Sequence, residues 1–290
     1  MQGGRGSSAS APGKLILFGE HAVVYGKKGI ASSVNLRTRV TLVEVDGGCF
    51  VLDRPAPFQK VSVPFSLLAG IARTILPTKE RDTEAYLKQV VDVLPAPELH
   101  LNIKTAFQEY EGSLPNLEDD LGCLSAISLF CTLLSCEDDL KPASGWRMKV
   151  TSDLPMGAGL GSSAAYHVSM AASFIKCSPY LPVGVPLSEE RWKFWTNELA
   201  FALEKIVHGP SASGIDNMVS TYGGMLVYHQ KTPSFRKGLS RLDVLITNTK
   251  VPRNTKNLIA TVKENLDKVG IHSIVSESLL IGEYDSILDR

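Results

Sequence analysis

The sequence carries no excess of charge of either sign: 30 Lys and Arg residues balance 30 Asp and Glu. That balance argues against a non-specific grip on nucleic acid or on an anionic membrane, both of which need a basic excess. A cysteine framework is also missing. The five cysteines, Cys49, Cys123, Cys131, Cys136 and Cys177, are odd in number and form no CxxC pair. Neither a disulfide scaffold nor a zinc cluster is expected, and reduced cytosolic thiols are the plain reading. No long hydrophobic run is present. The longest uncharged apolar stretch, LGCLSAISLFCTLLSC at 121–136, falls short of the ~20 residues of a membrane span and reads as a buried helix. The opening MQGGRGSSAS has no apolar h-region, so no secretory signal is expected.

What remains is an ordinary globular composition, 44% hydrophobic and 21% charged over 290 residues. It suits one large domain or two ordinary ones, each able to bury a core. Residues 1–8 are rich in Gly and Ser and read as a disordered tail. KLILF at 14–18 and RTRVTLVEV at 37–45 read as strands. The stretch 47–118 reads as irregular, with helical spacing only around 64–76 and 80–94. Acidic residues Glu118 to Asp120 precede the apolar helix 121–136, as suits a helix N-terminus. WRMKVTS at 146–152 alternates like a strand, and 164–176 continues as a helix rich in small residues. A further helix is expected over 189–208, with Ser188 as N-cap and Gly209 as its stop. Strands are expected near 224–229 and 242–247, a last helix over 254–268, and a boundary in the basic stretch at 235–241.

The richest chemical signal is PMGAGLGSSAAY at 155–166, between a strand and a helix. Gly157, Gly159 and Gly161 remove three Cβ atoms, so the chain can turn tightly and approach a ligand. The helix then opens at Ser162 and Ser163 with unpaired N–H groups and a positive dipole end, which suits phosphate. No GK[ST] follows, so this is not a Walker A loop. The GxGxG spacing also departs from the GxGxxG dinucleotide fingerprint. The bland alternative is a glycine turn used for tight helix packing.

Two carboxylates stand out. Glu204 lies off the apolar stripe of Trp192, Trp195, Leu199, Leu203 and Ile206, which suggests a solvated acid. Yet its helix neighbours Ala200, Phe201, Val207 and His208 offer no reliable charge, and a carboxylate so placed needs a partner, a cation among the candidates. A Glu204–His208 zinc pair lacks a further ligand at suitable spacing. Asp216, in SGIDNMVSTYGG, is either a helix cap or a general base. At the other end of the chain, APGKLILFGEHAVVYG sets Lys14 at the start of an apolar strand and Glu20 and His21 in the turn after it. Three ionisable groups around one buried strand can line a pocket for a polar substrate.

APGKLILFGEH, PMGAGLGSSAAY and HGPSASGIDN together resemble the GHMP small-molecule kinases. GEHAVVYG, SVNLRTRV, STYGGMLVYHQ and TNTKVPRNT resemble the mevalonate-phosphorylating members of that family, over roughly two thirds of the chain. The resemblance implies an α+β fold. Residues 9–238 would form a ribosomal-protein-S5-domain-2-like N-terminal domain, and 239–290 the start of an incomplete, ferredoxin-like C-terminal domain. It implies transfer of the ATP γ-phosphate to the C5 hydroxyl of mevalonate, in isoprenoid and sterol synthesis. Gly157, Ala158, Gly159, Leu160, Gly161, Ser162 and Ser163 would wrap the ATP phosphates, with Ser152 and Lys14 beside the nucleotide. Ser163 and Glu204 would hold Mg²⁺. Asp216 would accept the hydroxyl proton, and Lys14 would stabilise the developing alkoxide. Glu20, His21 and Thr255 would join Lys14 and Asp216 in contacting mevalonate. A homodimer in the cytosol or peroxisome, with no nucleic-acid or membrane partner, is also implied.

The chain departs from the family pattern in three places. The C-terminal glycine motif resembling KLTGAGGGGC is missing, which implies a C-terminally truncated chain. HGPSASGID is one residue longer than the HGNPSGVD-type loop. Ala56 stands where the family often has an adenine-pocket asparagine. These departures leave two rivals: a catalytically impaired nucleotide-binding or dimerising form, and another GHMP kinase such as a galactokinase or phosphomevalonate kinase.

Overall fold

The computed structural model describes residues 6–20, 23, 27–58, 60–75, 83–109, 123–128, 130–131, 144–177, 188–209, 212–229, 232–236 and 243–247. Its frame is a pair of long antiparallel strands, β1 (Gly6–Phe18) and β2 (Gly29–Asp46), in register from Gly6↔Val43 to Phe18↔Ile30. β1 starts at Gly6, so residues 6–8 belong to a strand and not to a disordered tail. The register slips between Pro12 and Lys14. Such a bulge bends a strand and re-aims the side chain beside it.

β1 occupies one edge of β2. The other edge is shared by β5 (Ser144–Ser152), paired with Thr38–Asp46, and β6 (Met225–His229), paired with Gly29–Ser32. β3 (Cys49–Asp53) runs parallel to β5, β4 (Val61–Pro64) closes that side, and β7 (Thr232–Arg236) lies outside β6. The result is a mixed seven-stranded sheet among the described residues. The stretch expected to be irregular therefore holds two strands and three helices: α1 (Phe65–Ile75), α2 (Thr83–Val93) and α3 (Pro97–Glu109). The first two match the helical spacing of the sequence. α3 is held by Leu99, Ile103 and Phe107, buried at i, i+4 and i+8 on one face.

Three further helices follow: α4 (Ser162–Cys177) and α6 (Ile215–Tyr222) pack on the sheet, and α5 (Glu189–His208) packs on α4, α6 and α2. α4 packs on β1 and β2, and half of its buried residues are Ala or Ser. Ser7 Oγ donates to the Ser173 carbonyl at 2.9 Å, and Ser173 Oγ donates to the Val40 carbonyl at 3.2 Å, tying helix to both strands. Residues 123–128 and 130–131 are helical and buried, as the apolar run predicts. Phe130 stacks on Phe174 at 4.2 Å and meets Trp146 edge-on at 5.7 Å, the aromatic centre of the core. Each such fully buried ring contributes about 1.5–3 kcal/mol. Ser188 caps α5 by accepting the Arg191 N–H, and Gly209 ends it, both as expected.

Residues 243–247 form no strand, contrary to expectation. All five are exposed, Leu245 at 93%, so no sheet neighbour covers them. The expected helix over 254–268 lies outside the described residues, as does nearly all of the expected C-terminal domain. No helix among the described residues is long and apolar enough to cross a membrane.

Candidate active site

The glycine loop joins β5 to α4. Gly157, Gly159 and Gly161 all take left-handed φ values, 69°, 77° and 67°. Leu160 is buried and anchors the loop, and Ala158 packs against the core, while Gly157 and Gly159 are exposed. No atom lies within 4 Å of a Cβ built on Gly157, so the loop faces open space. The α4 N-terminus behind it offers first-turn N–H groups that have no partner within the helix.

β1 is pressed against this loop. A Cβ on Gly13, at the bulge, would lie 2.5 Å from Leu154 Cδ2 and 2.7 Å from the Leu160 carbonyl oxygen. The next residue, Lys14, donates its backbone N–H to that same carbonyl at 2.9 Å. Its side chain passes Gly161, where a Cβ would meet Lys14 Cγ at 2.7 Å. Only glycine at these two positions lets Lys14 run along the loop. Its ammonium then reaches Asp216, with Nζ 3.2 Å from Oδ1.

Asp216 sits in the first turn of α6, behind the left-handed N-cap Gly214. The cap alternative for Asp216 therefore does not hold. The carboxyl keeps about a third of its surface open but lies in a hollow of protein atoms. Loss of water there pushes its pKa up. Lys14 opposes that shift, and the Glu204 charge adds to it.

Glu204 is buried, at 5% exposure, and not the solvated acid its helix position suggests. Oε1 accepts from His167 Nδ1 at 2.8 Å, and Oε2 lies 3.1 Å from His208 Nε2. Burial alone would raise its pKa. The hydrogen bonds of both imidazoles outweigh that and hold it well below the usual carboxylate range. His167 escapes the sequence reading. Its only local signal is its place one turn after Ser163, on the same face of α4.

Ser163 Oγ lies 3.4 Å from His208 Nε2, the same ring nitrogen that stands 3.1 Å from Glu204 Oε2. A hydroxyl and a carboxylate are hard oxygen donors, the kind a divalent cation takes alongside water and phosphate oxygens, once the imidazole between them moves aside. The imidazole standing there is half exposed, on the last turn of α5, with solvent to turn into. No group of three or more His, Cys, Asp or Glu able to cage a metal occurs among the described residues.

The structure thus brings together Lys14, Asp216, Ser163 and Glu204 beside the loop. Ser152 is engaged elsewhere, its hydroxyl 2.8 Å from Thr38 Oγ1 and accepting from Leu154 N–H at 3.2 Å. Glu20 is exposed just beyond β1, and Ala56 is exposed in the turn after β3. His21 and Thr255 lie outside the described residues.

A lysine–aspartate pair thus stands beside a glycine loop and a helix N-terminus, an arrangement able to receive an anion. Residues 125–224, which hold the loop, Glu204 and Asp216, match the family model described as GHMP kinases N terminal domain. The chain is similar to mevalonate kinases. It is 38% identical over 266 residues to that of Mus musculus and 37% identical over 270 residues to that of Homo sapiens. Each match takes in 89% of this chain and 63% of the relative, so the chain spans less than two thirds of their length. The crystal structure of a Lin0012 protein from Listeria innocua shares the fold, at a TM-score of 0.51 and 18% identity over 91% of this chain and 66% of that chain.

Proposed function

We propose that this chain carries the phosphoryl-transfer site of a mevalonate kinase, moving the γ-phosphoryl group of ATP to the C5 hydroxyl of mevalonate. The observation that carries the reading is the Lys14–Asp216 contact at the mouth of the open glycine loop. Its relatives' shared name supplies the substrate.

Phosphoryl transfer asks a protein mainly for positioning and charge neutralisation. The loop amides and the α4 N-terminus receive the phosphates. Asp216 takes the hydroxyl proton: burial makes it more basic than a surface aspartate, and Lys14 keeps it ionised. The same ammonium neutralises charge developing on the attacking oxygen. Ser163 and Glu204 supply oxygen donors for Mg²⁺, which when bound offsets phosphate charge. Glu20, His21 and Thr255 complete the mevalonate pocket in this reading. A homodimer in the cytosol or peroxisome, serving isoprenoid and sterol synthesis, goes with it.

A coupled assay for ADP with ATP, Mg²⁺ and a panel of mevalonate, phosphomevalonate and galactose tests the proposal. Turnover with mevalonate alone is expected. ATP binding by calorimetry with no ADP formed from any alcohol would instead mark a nucleotide-binding module, and turnover on galactose would reassign the substrate.

A further inference from the structure

α4 and α5 pack against each other, and each brings two residues spaced i, i+4 to the same spot. α4 carries Ser163 and His167, and α5 carries Glu204 and His208. Residues four apart share one helix face. Across the interface His167 Nδ1 donates to Glu204 Oε1 at 2.8 Å. Glu204 Oε2 stands 3.1 Å from His208 Nε2, and Ser163 Oγ stands 3.4 Å from that same nitrogen. The cluster borders the Lys14–Asp216 pair, since Asp216 feels the charges of both Glu204 and His208.

The two glutamate oxygens have different surroundings. Oε1 faces a side chain that is 5% exposed, and Oε2 faces one that is 53% exposed. One oxygen is therefore held from inside the protein, and the other meets a ring that has solvent to turn into. Nothing in Glu204 itself fixes this arrangement. The last torsion of a glutamate is broad and roughly two-fold, so its carboxylate plane turns easily. The bond from His167 sets that plane. The donor is held in turn, because its ring is buried on α4 with the Tyr166 ring beside it, 5.4 Å between centroids. α4 thus supplies both the Ser163 hydroxyl and, one turn on, the group that orients the carboxylate opposite it.

We propose that His167 is a positioning residue for phosphoryl transfer: by holding Oε1 it turns Oε2 of Glu204 toward the Ser163 side, where the divalent cation of a metal–nucleotide complex is received. The proposal rests on the reading of Ser163 and Glu204 as Mg²⁺ donors. His167 touches neither metal nor substrate in this role and acts through the glutamate alone. Hydrogen-bond partners of metal-binding carboxylates typically contribute about 10–100-fold to metal affinity.

The test compares nucleotide binding with and without metal. Calorimetry gives the affinity of a non-hydrolysable ATP analogue in EDTA and in Mn²⁺, and water-proton relaxation reports the bound Mn²⁺ directly. The ratio of the two affinities is the contribution of the metal. His167→Phe, which keeps a ring and deletes the N–H, and His167→Ala should each cut that ratio about 10-fold and leave the metal-free affinity little changed. His167→Asn should restore most of it, because its amide nitrogen lies as many bonds from Cα as Nδ1 does. Circular dichroism checks that each variant is folded. Glu204→Gln tests the underlying reading: an unchanged ratio there removes Glu204 from the metal and takes this proposal with it. A ratio lost in Glu204→Gln but kept in a folded His167→Phe or His167→Ala overturns the positioning role alone. If neither donor-free variant folds, the parent chain is read instead. The His167 ring-nitrogen resonance, assigned by its loss in His167→Asn, should move when Mg²⁺ joins the nucleotide complex, and a stationary resonance overturns the proposal.

Discussion

Lys14 Nζ stands 3.2 Å from Asp216 Oδ1, joining the first strand of the chain to the first turn of its last described helix. The lysine is almost wholly buried along its stem, and its ammonium meets a carboxylate that still sees solvent. Each group has supports of its own. The lysine is placed by the β1 bulge and by its backbone bond to Leu160, the aspartate by the turn at Gly214. The ion pair is thus assembled from separate supports, beside a glycine loop that has open space at Gly157.

Replacing Asp216 by Asn keeps the shape and removes the base. The turnover number with mevalonate should fall about 10²–10⁴-fold. ATP affinity, which rests on the loop, should change little. Steady-state assay paired with calorimetric ATP titration checks both, and a wild-type rate in the variant removes Asp216 from the base role.

The pH profile gives an independent view. Asp216 must be ionised to accept a proton, so activity is lost as pH falls through its folded pKa. Burial sets that pKa above the ordinary aspartate value. The acid limb of kcat/KM should therefore lie higher than a surface aspartate would place it. Lys14 holds the pKa down, so Lys14→Met should move the limb further up while reducing the rate. A limb that moves down in Lys14→Met contradicts the pairing.

Much of this frame was legible in the sequence, and what was not has identifiable physical reasons. α5 announced itself because its signals are local: the Ser188 cap, the acidic first turn, the apolar stripe and Gly209. The glycine loop did so because Gly157, Gly159 and Gly161 form one short run. β7 did not, since all five of its residues are exposed and only pairing with β6 makes it a strand. α3 carries its apolar spacing at Leu99, Ile103 and Phe107, but among polar residues just after Pro95 and Pro97. The burial of Glu204 was hidden for a different reason. Its partner His167 lies 37 residues away on another helix, and nothing local says that the two faces meet.

That pairing predicts a cost on mutation. His167→Ala leaves the buried Glu204 Oε1 without its 2.8 Å partner. Leaving a buried acceptor without its hydrogen-bond donor typically costs about 1–3 kcal/mol, and more when the acceptor is charged. Urea denaturation should show a loss of that order, and His167→Gln, which can still donate a hydrogen bond, should recover part of it. Equal stability of the two variants would show that the contact is dispensable.

Glu204 also predicts how the fold responds to acid. Its folded pKa lies well below the unfolded glutamate value of about 4.3. Between the two values the unfolded chain binds the proton and the folded chain does not. The stabilisation is therefore complete above the unfolded value and is lost as pH falls towards the folded one. Denaturation free energies measured from about pH 6 to pH 3 should decline less steeply in Glu204→Gln than in the parent protein. Identical slopes would remove Glu204 as a source of acid sensitivity.

Two alanine substitutions in the loop separate backbone strain from crowding. Gly157 and Gly161 have nearly the same left-handed φ, 69° and 67°. Alanine at either position should cost about 1–2 kcal/mol on that account alone. Gly157 has empty space where the methyl group would go, so nothing further is lost there. At Gly161 the methyl group would lie 2.7 Å from Lys14 Cγ and must push the lysine stem aside. Gly161→Ala should thus be the less stable of the two, and should lower the turnover number by disturbing the Lys14–Asp216 contact. Thermal unfolding and the ADP assay on both variants make the comparison. Equal effects at the two positions would mean that the lysine stem yields freely, and that its course past Gly161 does not place the ammonium.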